Sequence, residues 1–150
     1  MTAQMFAPAA VLALWTLIML WWMAGVRLPA LGKVEDKSKV GKPGGRGQDL
    51  DGVLPDKVNW KSHNHTHLHE QPTLFYVITV ILALTGPTAL DVTLAWVYVA
   101  LRIVHSLWQS LVNTIPVRLG IFAIGSIVLT VMAVRAVMVT VFADPSLPPS

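Results

Sequence analysis

The chain has 150 residues, of which 54% are hydrophobic and only 13% charged, against about 25% charged in an ordinary soluble domain. Long apolar runs and a mean hydropathy of +0.60 point to an integral membrane protein. Without cysteine there is no disulfide framework, thiolate metal site or cysteine nucleophile, and the net charge of +3 comes from a loop of mixed sign that forms no nucleic-acid patch.

The first membrane helix is predicted over 8–26. Its run VLALWTLIMLWWMAG is uncharged, and Trp21 and Trp22 stand near its end, where tryptophan suits the membrane–water interface. Met1–Phe6 lacks the positive charge of a signal peptide. The segment 28–60 reads as a loop, rich in Gly, Lys and Asp and without apolar periodicity. It is long for a connection, which leaves two readings open: a mobile solvated loop, or a cover over a site.

A second helix is predicted over 62–85, ended by Gly86-Pro87. Its apolar part, Leu74–Leu84, is shorter than the roughly 20 residues that a span needs. The stretch HNHTHLHE before it therefore supplies the first turns, with a kink expected near Pro72. A third helix is predicted over 91–112, with Asp91 as an N-cap or first-turn acid. A fourth covers 116–142, with Pro116 in its first turn. A Pro-rich tail begins at Asp144-Pro145.

Eight of the eleven basic residues lie between Arg27 and Lys61. By the positive-inside rule this loop and the 113–116 turn face the cytoplasm, and both termini lie on the other side. The fold class that results is an all-α integral membrane protein, a four-transmembrane-helix bundle in one domain.

Arg102, His105 and Gln109 are spaced i, i+3, i+7 and share a face of the third helix. Arg102 lies roughly 16 Å along from Asp91, near mid-bilayer. An arginine there must face the bundle and find an acid. Glu70 is the acid placed to meet it, either as a simple buried ion pair or through a ligand. Arg118 opens the fourth helix, either as part of the same site or as a snorkelling anchor. Arg135, farther along, is expected only to snorkel to the opposite interface. His65 and His69 are spaced i, i+4, and so are His63 and His67. Such pairs can bind zinc only with further ligands. Interfacial contacts and a polar ligand site are the other readings of these histidines, and no metal ligand is assigned.

The stretches Glu70-Gln71-Pro72 with Leu74-Phe75-Tyr76, then Trp96–Ser106 (WVYVALRIVHS), then Asn113 and Pro116-Val117-Arg118, resemble the MAPEG superfamily, the membrane-associated proteins of eicosanoid and glutathione metabolism. The chain looks most like the small bacterial members, which implies an inner-membrane location. The resemblance implies a homotrimer that binds glutathione between neighbouring subunits near the cytoplasmic face. It implies that Glu70 contacts the amino end of the tripeptide. Arg102 and His105 match the family's Arg-x-x-His, and Arg118 matches an arginine that stabilises the thiolate. There are departures: Thr66-His67 stands where glutathione-using members have Arg-Asn, and Gln109 stands where they have tyrosine. The implied site is thus catalytic Arg118 with glutathione-binding His67, Glu70, Arg102, His105 and Gln109. The implied activity is glutathione-dependent transfer or peroxide reduction on a lipophilic small molecule delivered by membrane lipid. A non-catalytic membrane protein that binds lipid or a partner is the alternative.

Overall fold

The computed structural model describes residues 1–143; the predicted Pro-rich tail lies outside the described residues. It contains five α-helices: α1 (Thr2–Gly32), α2 (Asp56–His67), α3 (Gln71–Leu84), α4 (Ala89–Leu111) and α5 (Ile115–Val141). No strand occurs among the described residues. Three helices, α1, α4 and α5, are long and apolar enough to cross a membrane.

Helix α1 extends beyond the predicted 8–26 at both ends, with Pro8 and Pro29 inside it. Its 31 residues correspond to about 46 Å, well over the roughly 30 Å of a hydrocarbon core. The helix is therefore longer than the apolar layer is thick, and its last turns carry a charge. There Arg27 donates to Ser62 Oγ at 2.6 Å and to the Gly47 carbonyl.

The second predicted helix is broken rather than kinked. α2 ends at His67 and α3 begins at Gln71. The cause is Pro72, four residues beyond Leu68. In a continuous helix its missing N–H would leave the Leu68 carbonyl unpaired, and its ring would collide with that carbonyl. The chain resumes with Pro72 in the first turn of α3, where no intrahelical donor is needed. The 14 residues of α3 cover only about 21 Å. The pair α2–α3 runs antiparallel to α1: Lys61 lies over the Trp22 ring, while Thr73 and Tyr76 face Thr16 and Leu17.

A capping box opens α4. Asp91 Oδ2 accepts the Thr88 N–H at 2.8 Å, and Thr88 Oγ1 accepts the Asp91 N–H. Arg135 of α5 completes this end, donating to Asp91 Oδ2 at 3.1 Å and Thr88 Oγ1 at 2.9 Å. The expectation that Arg135 merely snorkels is corrected: Asp91 is buried on the facing helix and recruits it. α4 and α5 are joined through Asn113, whose φ of 55° lies in the left-handed region that asparagine tolerates better than most residues.

Met5, Leu12, Phe75, Leu82, Tyr98, Val99, Leu129 and Met132 form the core. Phe75 and Tyr98 stack there at 4.6 Å. Outside it, Leu14, Leu17, Trp21, Leu74, Val77, Ile124, Ile127 and Val134 are exposed. An apolar surface of this extent fits a lipid environment.

The 33–55 segment carries two 3-10 turns, Lys37–Lys39 and Gly47–Leu50. Besides Arg27, it is held by Asn59, which donates to the Leu50 and Leu54 carbonyls at 3.3 and 3.2 Å. His63 Nε2 lies 3.0 Å from Asp51. The segment is thus a folded appendage on the ends of α1 and α2.

Candidate functional site

The polar site begins with the amphipathic face of α4. Arg102, His105 and Gln109 are all buried there, as the helical spacing predicts, and Ser106, which the spacing argument did not include, is buried beside them. Asn64 of α2 and Trp15 of α1 both donate to Ser106 Oγ, at 2.7 and 3.2 Å. One hydroxyl thus ties three helices together and fixes the depth of α2 against α4.

Arg102 is 2% exposed. Its NH2 donates to His67 Nδ1 and to the His67 carbonyl, both at 3.0 Å. That carbonyl lies in the last turn of α2, where a continuous helix would have supplied its partner from Gln71. With the helix broken, that carbonyl accepts instead from the Glu70 N–H at 3.4 Å and from Arg102. Because guanidinium only donates, Nδ1 must be the accepting nitrogen of neutral His67. Its proton is then on Nε2, which faces Glu70 Oε2 at 3.8 Å. Of the two readings of Glu70, a direct pair with Arg102 is not formed; His67 stands between them, in a chain of three groups. Glu70 cannot reach Arg102 because the break turns its side chain outward, where it is 62% exposed.

His67 also stacks on His105, with ring centroids 5.1 Å apart and planes inclined by 18°. Phe122 of α5 meets His67 edge-on at 5.4 Å. These rings, with Ile115, Arg118 and Leu119, line a cavity of about 230 Å³. Three of the six sequence-predicted residues, His67, His105 and Arg118, thus come from three helices to one cavity. Arg118 is aimed by its neighbour Asn113, whose Oδ1 accepts from NH1 at 2.7 Å. Arg102, Glu70 and Gln109 do not line it: Arg102 and Gln109 are buried on α4, and Glu70 is exposed beside His67.

Several buried polar atoms near this cavity have no partner among the described residues: Arg102 Nε and NH1, His105 Nδ1 and Gln109 Oε1. An unpaired buried polar atom costs about 1–3 kcal/mol, and more when charged. Of these four atoms, only His105 Nδ1 belongs to a residue that lines the cavity; those of Arg102 and Gln109 are buried beside it on α4. Guanidinium N–H groups fit a ligand that carries carboxylates. Among the described residues no group of three or more His, Asp or Glu is arranged to hold a metal ion.

Sequence reasoning missed two features. Phe122 follows Arg118 by four residues on α5, so the i, i+4 spacing was the signal that could have found it. A second polar chain joins α4, α3 and α5: Tyr98 donates to Gln71 Oε1 at 3.2 Å, and Gln71 Nε2 donates to Ser126 Oγ at 2.7 Å. Gln71 and Ser126 carried no spacing signal that linked them.

No curated protein and no solved structure gives a significant match to the chain. The MAPEG family model matches residues 5–138, covering the helices and the His67–Arg102–Arg118 site alike. With nearly the whole chain matched and the cationic site within the match, this protein belongs to the MAPEG family.

Proposed function

We propose that this protein is a glutathione-dependent transferase or peroxidase acting on a lipophilic substrate. The family includes such enzymes alongside non-catalytic members. The observation that carries the reading is the convergence of His67, His105 and Arg118 on one cavity, backed by the unpaired N–H groups of Arg102. Glutathione is an anionic tripeptide with two carboxylates and one ammonium, so this donor-rich site suits it. A cavity of about 230 Å³ is below the roughly 300–1,000 Å³ of a complete small-molecule pocket. It is sized for the cysteinyl end, with the remainder held between subunits of a homotrimer.

In this reading Arg118 is the catalytic residue. A free thiol with pKa near 8.5 is only about 3% thiolate at pH 7. A guanidinium alongside favours the anion. In conjugation, glutathione, its thiol proton given up to water, would supply the sulfur that bonds to an electrophilic carbon of the substrate and displaces its leaving group, chloride in the case of chlorodinitrobenzene. His67 and His105 present an aromatic wall to that sulfur. Arg102 and Gln109 hold the peptide's polar groups, and Glu70, exposed beside His67, receives its ammonium. We further propose that α2 and α3 together make the fourth membrane crossing. The basic 33–55 segment then faces the cytoplasm of a bacterial inner membrane, where the thiol is delivered, while the bilayer supplies the lipophilic partner.

The test is conjugation of chlorodinitrobenzene by detergent-purified protein. The wild-type chain should form the thioether, and Arg118→Ala should lose most of the rate while remaining folded. The second reading, lipid binding without catalysis, is favoured by Gln109, whose side chain cannot donate a phenolic proton. A wild-type protein that binds glutathione yet forms no conjugate and reduces no hydroperoxide would establish that reading instead.

A further inference from the structure

Two cavities, of about 560 and 570 Å³, adjoin in the folded segment between α1 and α2. Neither shares a residue with the site around His67. The charges in the first come from Lys39, Lys42, Arg46 and Asp49. The second is lined by Val26, Pro29 and Ala30 of α1, by Leu54 and Val58, and also by Lys33 and Glu35. Val53 lines both, so the two adjoin there: the first carries three cations and one carboxylate, and the second is lined mainly by aliphatic side chains.

The cations are only partly neutralised from within. Asp49 accepts the Arg46 backbone N–H at 2.7 Å rather than a side chain. Asp36 lies 3.9 Å from Lys39, and its other oxygen is taken by Ser38 at 2.6 Å. Lys42 and Arg46 have no salt bridge among the described residues. The chamber is also built rather than incidental. Arg27 and Asn59 fasten its walls to α1 and α2, and a Cβ at Gly47 would press on the Arg27 guanidinium at 3.3 Å. Its place along α1 matters too. That helix is longer than the hydrocarbon layer is thick, and its charged end suits the depth of the lipid headgroups.

We infer that the 33–55 segment binds one anionic membrane phospholipid, with its phosphate on Lys39, Lys42 and Arg46 and the start of an acyl chain passing Val53 into the apolar chamber. This site is separate from the proposed glutathione site and does not depend on it. Lipid held there docks the α1–α2 end of the molecule to an acidic leaflet.

The experiment uses the full chain in neutral detergent and follows Tm. Dihexanoyl phosphatidylglycerol, dihexanoyl phosphatidylcholine and glycerol 3-phosphate are titrated separately. Phosphatidylglycerol should raise Tm at concentrations where the other two do nothing. Lys42→Gln with Arg46→Gln should weaken that response roughly 25-fold, as for two cations contributing about 5-fold each. Both side chains are exposed, so the fold should survive the change. Lys37→Gln with Lys57→Gln removes the same charge outside the chamber and should leave the response unchanged. An equal response to phosphatidylcholine would overturn the inference. So would equal loss in both double variants, which would mean diffuse attraction. A response to glycerol 3-phosphate that matched the lipid would assign the chamber to soluble phosphates and overturn it as well.

Discussion

The partner of Arg102 can be decided by comparing two substitutions. In the structure, Arg102 NH2 has two acceptors, both on His67, and Glu70 is remote and exposed. His67→Phe keeps a ring to stack on His105 but deletes the Nδ1 acceptor, leaving a buried guanidinium N–H with one partner fewer. A hydrogen bond to a charged group contributes about 1.5–3 kcal/mol. For a chain of this size that corresponds to a Tm loss of about 3–12 °C. Glu70→Gln removes a carboxylate that is 62% exposed and 3.8 Å from its neighbour, and should cost under about 1 kcal/mol. Were Glu70 the direct, buried partner of Arg102, the order would reverse, with Glu70→Gln costing about 3–5 kcal/mol. Thermal unfolding of both variants in the same detergent, followed by far-ultraviolet circular dichroism, gives the comparison. A larger loss in Glu70→Gln than in His67→Phe would refute the three-group chain.

At the opposite end, Arg135→Leu should destabilise by about 3–5 kcal/mol, because it strands a buried carboxylate on Asp91. Adding Asp91→Asn to that variant should then restore stability; a further loss in the double variant would contradict the buried-charge account. Arg118→Ala should move the pH–rate profile for conjugation upward by about one to two pH units, since the thiol loses its neighbouring cation. An unshifted profile with a lower rate would assign Arg118 to packing alone. Arg27→Ala should release the 33–55 segment, read as faster trypsin cleavage after Lys37 and Lys42 with the helices still intact; an unchanged cleavage rate would show that Asn59 and His63 suffice to hold it.

The long helices were legible because hydrocarbon imposes a length and a composition that few other environments require. The shared face of Arg102, His105 and Gln109 followed from spacing alone. What the spacing could not give was the partner of Arg102. That depends on where the helix before it breaks, because the break before Pro72 sets where the His67 ring and carbonyl face. The Asp91–Arg135 pair was hidden for a related reason. Each residue had an adequate local explanation, as cap and as anchor, and only the packing of α5 on α4 brings them together. The 33–55 segment lacked apolar periodicity because its order comes from Arg27, Asn59 and His63, residues outside or at its edges.

Everything proposed about activity rests on glutathione entering the cavity between α2, α4 and α5 and meeting Arg118. Isothermal titration of reduced glutathione into the detergent-purified full chain, paired with Arg118→Ala, measures that step. Binding should be saturable in the millimolar range or tighter, and weakened at least about tenfold in the variant, a loss of about 1.4 kcal/mol. Absence of binding at millimolar glutathione, or equal binding by the two proteins, would contradict it.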